Sequence, residues 1–258
     1  MKFVVIGGTG LIGNKVVERL RRRGHEVVAA APSTGINAVA GHGLDAALTG
    51  TDVVVDVANS PSFEEQAVLA FFENAGRHLA AAEQRAGVKH HVALSVVGTG
   101  RPALAASGYI RAKAAQEALI RAAGIPHTIV QATQFFEFLG AIAGPGEPGH
   151  PLRMSSGLMQ PIAAEDVAAA VADCALGAPV HGTVEIGGPQ QAPMAQWVQR
   201  FLAATGDSRT VVADPQEPYF GAVLEAGTLL PGEGAMLGRQ DFDTWFARWA
   251  RDRRGVAA

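Results

Sequence analysis

The stretch VVIGGTGLIG near the N-terminus constrains what this chain can fold into more than any other part of its sequence. Residues 3–6 form a short apolar run typical of a buried parallel strand, and glycines follow at positions 7, 8, 10 and 13. Residues 11–24, LIGNKVVERLRRRG, show apolar residues at helical spacing and end in arginines and a glycine. Since a second apolar run, HEVVAAA, comes next, residues 3–31 are predicted to form a strand–helix–strand unit.

Glycines between a buried strand and a helix let the backbone turn sharply and approach a phosphate. Amides at the start of the helix then meet the negative charge of a pyrophosphate. Three spaced glycines are a weak signal in a chain with 31 glycines, but their place inside a strand–helix–strand unit makes them specific. The alternative is a purely structural turn. We predict a dinucleotide site formed by Gly7, Thr9, Gly10, Leu11, Ile12 and Gly13.

The residues after the second predicted strand bear on which nicotinamide dinucleotide fits. Proteins that bind NAD tend to carry Asp or Glu there, about 20 residues beyond the glycines, to hold the ribose 2′-hydroxyl. Here the sequence is AAPSTG, without a carboxylate and with no arginine after it. The hydroxyls of Ser33 and Thr34 leave room for a 2′-phosphate and can donate hydrogen bonds to it. NADP, as NADPH, is therefore expected, and NAD is the less favoured alternative.

Strands and helices alternate over the first 140 residues, which predicts an α/β fold with a doubly wound parallel sheet. Further strands are predicted at DVVVDVANS, KHHVALSVVG and PHTIVQA, and helices at residues 62–86 and 107–123. The first of these helices has predicted core positions at Phe63, Val68, Leu69, Phe72 and Leu79. The stretch PSTGINAVAGHG holds no convincing helix, and a short third strand is predicted at residues 36–39.

The pattern changes after residue 140. GAIAGPGEPGHP is too rich in Gly and Pro for regular structure, which predicts a mobile loop or lid over residues 140–160. Helices are predicted at residues 164–176 and 193–204, and GTVEIGG predicts a last core strand near residues 183–188. The aromatic residues of the remainder are expected to pack a small lobe, because large apolar side chains are usually core.

The chain is expected to form one continuous globular unit with two parts. Residues 1–140 would be the NAD(P)-binding core, and residues 141–258 the loop and a substrate-side C-terminal lobe.

Composition and charge exclude several classes of partner. A net charge of −3 gives no basic footprint for nucleic acid, and no apolar run is long enough for a signal peptide or a membrane span. Cys174 is the only cysteine, which excludes internal disulfides and fits a reducing compartment. His90 and His91 are adjacent in a predicted strand and point to opposite faces, which argues against a metal site. We expect a cytoplasmic monomer or homodimer that acts on a small molecule, with no metal, membrane or nucleic acid.

Tyr109 and Lys113 lie four residues apart in GYIRAKAAQE, so a helix places them one turn apart on one face. Such a match is uncommon by chance in a chain with two tyrosines and four lysines. An ammonium near a phenol lowers the phenol pKa from its usual value of about 10. The phenol can then give a proton to a carbonyl oxygen while hydride reaches the carbon. A surface helix pair without chemistry is the alternative.

Ser95 lies near the end of the strand VKHHVALS, and ligands bind at the carboxyl edge of a parallel sheet. Its hydroxyl is placed to hydrogen-bond the same oxygen as Tyr109. The alternative is a hydroxyl that satisfies local backbone groups.

Several of these motifs resemble the short-chain dehydrogenase/reductase superfamily, and more narrowly its atypical NmrA-like NAD(P)-binding branch. The resemblance rests on VVIGGTGLIG, ALSVVG, YIRAKAAQE and PHTIVQATQFFEF, and covers residues 1–140 well and the remainder loosely. It implies a Rossmann-type doubly wound parallel sheet with a small C-terminal α/β lobe. It also implies the family's catalytic roles for Ser95, Tyr109 and Lys113, with Lys113 holding the nicotinamide ribose hydroxyls.

Two departures from the family's pattern stand out. The helix after the second strand is lost in the sequence pattern, and the asparagine-rich motif after the family's fourth strand is reduced to VANS. Ala58 and Asn59 are the residues of that motif predicted to contact the dinucleotide.

The pocket wall near the nicotinamide is predicted to come from residues that follow a core strand at the carboxyl edge of the sheet. These are Gln131, Thr133, Gln134, Phe135 and Phe136. Ordinary core and helix-cap residues are the alternative.

Together these features predict an NADP-dependent oxidoreductase that reduces a carbonyl, quinone or conjugated enone of a small apolar molecule. Tyr109 would donate the proton, Ser95 would polarise the oxygen, and Lys113 would tune the phenol. Two other functions stay open. One is a non-catalytic NAD(P)-sensing regulatory protein, and the other is a non-redox isomerase or cyclase on the same fold.

Overall fold

Seven parallel strands form the central sheet of the computed structural model, which describes residues 1–147 and 150–255. The strands are β1 (Lys2–Ile6), β2 (Glu26–Ala30), β3 (Val53–Asp56), β4 (His90–Val96), β5 (His127–Ala132), β6 (Leu152–Ser155), β7 (Leu158–Met159), β8 (Gly182–Gly187), β9 (Ala192–Pro193), β10 (Val211–Asp214) and β11 (Met236–Leu237). The order across the sheet is β2, β1, β3, β4, β5, β8 and β11. β6 pairs with β10, and β7 with β9, in two small separate sheets.

Helices cover both faces of this sheet, as the doubly wound fold requires. They are α1 (Leu11–Arg22), α2 (Leu44–Leu48), α3 (Glu65–Ala86), α4 (Gly108–Ala122), α5 (Leu139–Ala143), α6 (Ala164–Leu176), α7 (Met194–Thr205) and α8 (Phe242–Gly255). α1 and α6 pack on one face, and α2 and α3 on the other, with α4 beside α3. Within the described residues, no helix has the length and apolarity that crossing a membrane requires.

β1 shows why the first apolar run forms a buried strand. Successive side chains of a strand point to opposite faces. Phe3 and Val5 join the core formed with α1 and α6, while Val4 and Ile6 join the core formed with α2 and α3. Both faces are therefore covered, and an uninterrupted apolar run is required.

The strand order reverses beside β1. β2 pairs with one edge of β1 and β3 with the other, both in parallel register. The two crossovers leave in opposite directions, which opens a crevice at the carboxyl ends of β1 and β3. The glycines after β1 and the segment after β3 both lie at this crevice. The predicted fold class, a Rossmann-type doubly wound sheet, is confirmed.

Most predicted elements form within a few residues of their expected bounds. α6 spans Ala164–Leu176 as predicted, and α4 and α7 differ from prediction by one residue at each end. The strand expected near residues 183–188 forms as β8, and the two-residue β11 extends the sheet beyond it. In α3, Val68, Phe72 and Leu79 are buried as predicted, and Leu69 is partly buried.

Phe63 was predicted as a core position of the α3 helix, and this is wrong. The helix begins at Glu65, so Phe63 belongs to the loop that enters it, and 58% of its surface is exposed.

The third strand predicted at residues 36–39 does not form. This segment folds back on itself, because Asn37 and His42 exchange both of their backbone hydrogen bonds at 2.9 Å. Its backbone groups are thus satisfied locally, and β2 is left as the edge strand of the sheet. The five-residue helix α2 follows at Leu44, directly after the stretch in which no helix was predicted.

The mobile loop predicted over residues 140–160 is also wrong for most of its length. Residues 148–149 lie outside the described residues. On either side of them α5, β6 and β7 form, and β6 pairs with β10, more than 50 residues further along the chain. Leu152 and Met159 are buried in the lobe core, so long-range packing overrides the local Gly and Pro signals.

The aromatic side chains of the C-terminal part pack this lobe core, as predicted, except Phe220, which is 53% exposed. Phe136, Trp197, Phe242 and Trp245 are buried with ring centroids 5.3–6.1 Å apart. The structure places Phe136 in this core, with 0% of its surface exposed, and not at a pocket wall.

We predict that Phe136→Ala lowers the free energy of unfolding by ~3–5 kcal/mol, because it removes a fully buried aromatic ring. Urea denaturation followed by circular dichroism measures the loss. Phe138→Ala is the matched control, since that ring is 44% exposed and its loss should cost under ~1 kcal/mol. Equal losses in the two variants would contradict the assignment of Phe136 to the core.

Candidate active site

The glycine segment after β1 folds into a tight turn against β2. The amides of Gly7 and Gly8 both donate to the carbonyl oxygen of Ala30, at 2.9 and 3.1 Å. The amide of Gly10 then donates to the Gly7 carbonyl at 2.9 Å, which directs the chain into α1. The turn therefore forms where the sequence predicted it, between a strand and a helix.

No side chain larger than hydrogen fits at three positions of this turn. A Cβ atom on Gly13 would lie 2.1 Å from the Gly7 carbonyl oxygen, and one on Gly8 would lie 2.7 Å from the carbonyl oxygen of Val5. Gly7 adopts φ +78°, and a Cβ there would lie 2.8 Å from the backbone of Ala58. The helix α1, the strand β1 and the segment after β3 can therefore approach one another this closely only because these positions are glycines.

The N-terminus of α1 is suited to an anion. Gly10 is the N-cap and supplies no side-chain oxygen, and the first turn has no acidic residue. The amides of Leu11, Ile12 and Gly13 precede the first possible intrahelical bonds, so they remain available to a ligand. Thr9, Gly10 and Leu11 are exposed at this end. Free amides and the helix dipole are what a pyrophosphate requires.

Ser33 and Thr34 differ in how much of their hydrogen bonding is already used. The Thr34 hydroxyl accepts from the Ala31 amide at 2.9 Å and lies 3.0 Å from the carbonyl oxygen of Ala29. It closes the single 3₁₀ turn Pro32–Thr34 that follows β2. Ser33 is exposed beside it and is the hydroxyl available for a ribose phosphate.

Tyr109 lies in the first turn of α4, whose N-cap is Ser107. The Ser107 hydroxyl accepts from the amide of Ile110 at 3.4 Å. The Tyr109 phenol donates to the side-chain carbonyl of Asn59 at 3.1 Å. Since Asn59 follows Ala58, which packs on Gly7, the phenol is brought beside the glycine turn across 50 residues of sequence.

The predicted lowering of the Tyr109 pKa is wrong for the free protein. Burial raises the pKa of Tyr109 to about 12. The Lys113 ammonium is turned away, because it donates to the Leu94 carbonyl at 2.8 Å and to the side-chain oxygen of Gln116. It also lies 4.3 Å from the centre of the Phe72 ring. The phenol is thus protonated throughout the neutral range.

Lys113 is the inner end of a buried polar chain. The side-chain oxygen of Gln116 accepts a hydrogen bond from the Lys113 ammonium, and its side-chain nitrogen donates to Asp56 at 2.8 Å. Asp56 accepts in turn from the Ala58 amide at 3.1 Å, at the edge of the glycine turn. Burial lowers the pKa of Lys113 to about 8, against the opposing charges of Asp56 and Glu117.

Sequence reasoning missed Asp56 and Gln116. Each carried a signal, because Asp56 is a carboxylate at the end of a fully apolar strand. Gln116 lies three residues after Lys113, on the same helix face.

Ser95 is buried near the end of β4, and its hydroxyl is already used in a hydrogen bond. Its hydroxyl donates to Glu117 at 2.6 Å, and the Gln131 amide donates to the same oxygen at 2.8 Å. Arg121 pairs with the second oxygen of Glu117 at 2.8 Å. Gln131 therefore belongs to a buried network and does not line a pocket, and a catalytic role for Ser95 stays a prediction.

Thr133, Gln134 and Phe135, which were also predicted to line the pocket, differ in their surroundings. The Thr133 hydroxyl donates to the Gln160 carbonyl at 2.6 Å inside the protein. Phe135 is partly buried, with its ring stacked on Phe138 at 5.5 Å. The side-chain oxygen of Gln134 is buried without a hydrogen-bond partner among the described residues. A buried acceptor of this kind requires a donor, and the carboxamide of a nicotinamide provides one.

Comparison with known families shows which family this chain belongs to. Residues 7–177 match the model of a family described as NAD(P)H-binding. The chain belongs to the NAD(P)H-binding family. This match confirms the NAD(P)-binding part of the resemblance drawn from its motifs.

A curated relative of this NAD(P)H-binding protein is the chloroplastic divinyl chlorophyllide a 8-vinyl-reductase of Cucumis sativus. The two are 30% identical over 227 residues, which cover 74% of this chain and 53% of the relative. The chain thus spans about half the length of the curated relative that it matches.

Solved structures agree with the fold. MoeE5 in complex with UDP-glucose and NAD superposes with a TM-score of 0.76 at 20% identity, over 98% of this chain and 100% of that one. UDP-glucose 4-epimerase from Thermus thermophilus, in complex with NAD, gives 0.72 at 18% identity, over 99% of each chain. A short-chain dehydrogenase/reductase superfamily protein from Agrobacterium tumefaciens with bound NAD gives 0.71 at 20% identity, over 100% of this chain and 98% of that one.

We predict that Gly13→Ala weakens NADPH binding by at least about tenfold, because the added methyl group collides with the Gly7 carbonyl and displaces the turn. Isothermal calorimetry measures the affinity, and circular dichroism checks the fold. Gly177→Ala is the control, since a Cβ there would lie an ordinary 3.5 Å from the Asp173 carbonyl oxygen. An unchanged affinity in Gly13→Ala would exclude this turn as the dinucleotide site.

Proposed function

We propose that this protein is an NADP-dependent reductase that transfers hydride to a carbonyl or conjugated carbonyl group of a small apolar molecule. The observation that carries the proposal is the hydrogen bond from Tyr109 to Asn59 at 3.1 Å. It holds a proton donor at the carboxyl edge of the sheet, next to the residue that packs on the glycine turn.

Residues at three places would hold parts of a nicotinamide dinucleotide. The amides of Leu11, Ile12 and Gly13 would hold its pyrophosphate, Ser33 its 2′-phosphate, and the unpartnered oxygen of Gln134 its carboxamide. When bound, NADPH supplies the hydride. The choice of NADP over NAD rests on the exposed hydroxyl of Ser33 and on the absence of a carboxylate in the segment after β2.

Tyr109 would act as the acid. Its pKa of about 12 keeps the phenol protonated at neutral pH, which suits a group that must give a proton to a carbonyl oxygen. The carbonyl carbon gains hydride, its oxygen gains the Tyr109 proton, and the C=O group becomes an alcohol. Solvent would then return a proton to the phenolate, because the Lys113 ammonium donates to the Leu94 carbonyl and to Gln116 and is turned away from Tyr109.

The similarity to a reductase supports the direction of the reaction. A non-redox isomerase or cyclase would bind the same dinucleotide without consuming it, and a sensor would bind it without a substrate. Net consumption of NADPH separates these alternatives from the proposed reduction. The cytoplasmic location expected from the composition stays a prediction.

We predict that Tyr109→Phe lowers kcat/KM for NADPH consumption with a panel of quinones and ketones by ~10²- to 10⁴-fold, since the proton donor is lost. Absorbance at 340 nm reports the consumption. Thr205→Val is the control, because it removes a hydroxyl whose hydrogen bonds go to the carbonyl oxygens of Phe201 and Leu202 within α7. If native turnover is measurable and Tyr109→Phe retains it, Tyr109 is not the proton donor.

We predict that Ser33→Asp weakens NADPH binding by about tenfold and strengthens NADH binding. A carboxylate repels the 2′-phosphate and accepts a hydrogen bond from a 2′-hydroxyl. Calorimetric titration with both dinucleotides gives the ratio of affinities. A ratio equal to that of the native protein would show that Ser33 does not contact the ribose.

A further inference from the structure

Aromatic side chains from distant parts of the chain run from Tyr109 through Phe63 to Phe220, outside the proposed dinucleotide site. The ring of Phe63, in the loop before α3, lies with its centroid 5.5 Å from that of Tyr109. The ring of Phe220, in the C-terminal lobe, lies 6.0 Å from Phe63 and 4.7 Å from Tyr219. We call these four residues the ring site. It contains both tyrosines of the chain.

The two phenylalanines of the ring site are unusually exposed for such large apolar groups. Phe63 is 58% exposed and Phe220 is 53% exposed, and they are in contact with each other. A single exposed apolar side chain is ordinary, but a contiguous pair beside a proton donor marks a surface built to meet an apolar ligand.

The backbone of Phe220 shows that its exposure is imposed by the fold. Its φ is +46°, a left-handed conformation that is an outlier for a bulky residue. The tight turn is closed by hydrogen bonds in both directions between the backbones of Tyr219 and Ala222, at 2.8 and 3.1 Å. Strain that a fold maintains at one residue is commonly found at ligand sites.

A cavity of about 250 Å³ opens beside Phe220 in the lobe. Its apolar lining comes from Ile142, Met154, Met194, Pro218, Tyr219 and Phe220. The volume lies below the ~300–1,000 Å³ of typical ligand pockets, so the space fits a compact molecule.

The charges at this cavity argue against an anionic ligand. Among the described residues that line it, Arg153 is the one cation, and it pairs with Asp214 and with Glu217. Two carboxylates therefore neutralise one guanidinium. A diphosphate, such as that of the nucleotide sugar bound in the structural relative MoeE5, would find no free positive charge at this cavity.

We propose that the ring site binds the substrate as a flat, uncharged conjugated ring, of the quinone or cyclic enone class, against the faces of Phe63 and Phe220. Offset stacking on these rings would hold the ring plane, while its carbonyl oxygen points to the Tyr109 phenol. The cavity beside Phe220 takes the substituents of the ring. The proposal rests on the proposed function in one respect, which is that Tyr109 is the proton donor.

The test measures binding without turnover. The full chain, saturated with NADP⁺, is titrated calorimetrically with 1-naphthol, a flat aromatic alcohol, and with cyclohexanol, which has the same hydroxyl on a puckered ring. We expect 1-naphthol to bind more tightly. Phe63→Ala and Phe220→Gly should each weaken its binding by about two- to tenfold, the effect of removing one aromatic pair.

The variants are chosen to separate ring loss from damage to the fold. Glycine accepts a positive φ freely, so Phe220→Gly removes the ring and relieves the backbone. Phe246→Ala is the matched control, because its ring contacts those of Phe242, Trp245 and Trp249 and none of the ring site. Circular dichroism confirms that each variant is folded.

Three results would overturn the proposal: equal affinity for the two alcohols, unchanged 1-naphthol affinity in both ring-site variants, or an equal loss in Phe246→Ala. NADPH consumption is assayed separately. Loss of 1-naphthol binding in the variants without any native NADPH consumption would leave the ring site supported and the proposed reduction refuted. Consumption that depends on Tyr109, with no effect of either ring-site variant on 1-naphthol binding, would refute the ring site alone.

Discussion

The close approach of backbone to backbone at the glycine turn is the constraint on which the rest of this structure depends. Gly13 on α1 meets the carbonyl of Gly7, and Gly7 meets the backbone of Ala58 after β3, at distances that leave no room for a Cβ atom. Through these contacts α1, β1 and β3 converge on one crevice. Every other part of the candidate site is placed relative to this point.

Two polar connections tie the helix α4 to that crevice. One runs at the mouth, from the Tyr109 phenol to Asn59. The other runs in the interior, from Lys113 through Gln116 and Asp56 to the Ala58 amide. Because buried polar groups are costly without hydrogen-bond partners, this series of buried hydrogen bonds fixes the position of α4 against the sheet. The phenol is thereby positioned by the same residues that border the glycine turn.

Local patterns predicted the core of the fold well. The apolar runs of β1 and β4, the helical spacing of α1 and α6, and the glycine loop after β1 depend on neighbours within a few residues. The errors occur where distant partners intervene. The segment at residues 36–39 bonds to itself, and residues 152–155 pair with β10 despite the nearby Gly and Pro. Phe136 follows a strand end as pocket residues do, but it is drawn into the lobe core.

The sequence by itself determined the family, the strand–turn–helix unit and the place of Tyr109 and Lys113 in one helix, because glycine spacing, strand period and the four-residue step on a helix are properties of short stretches. Only the tertiary structure decided which polar atoms meet. In the folded protein Tyr109 donates a hydrogen bond to Asn59 across 50 residues of sequence, and Gln116 donates one to Asp56 across 60. The Ser95 hydroxyl donates to Glu117. The tertiary structure also brought Phe63 against Tyr109, and Phe220 against Phe63. These contacts join chain segments far apart in sequence, so they arise only when the sheet and the lobe have packed.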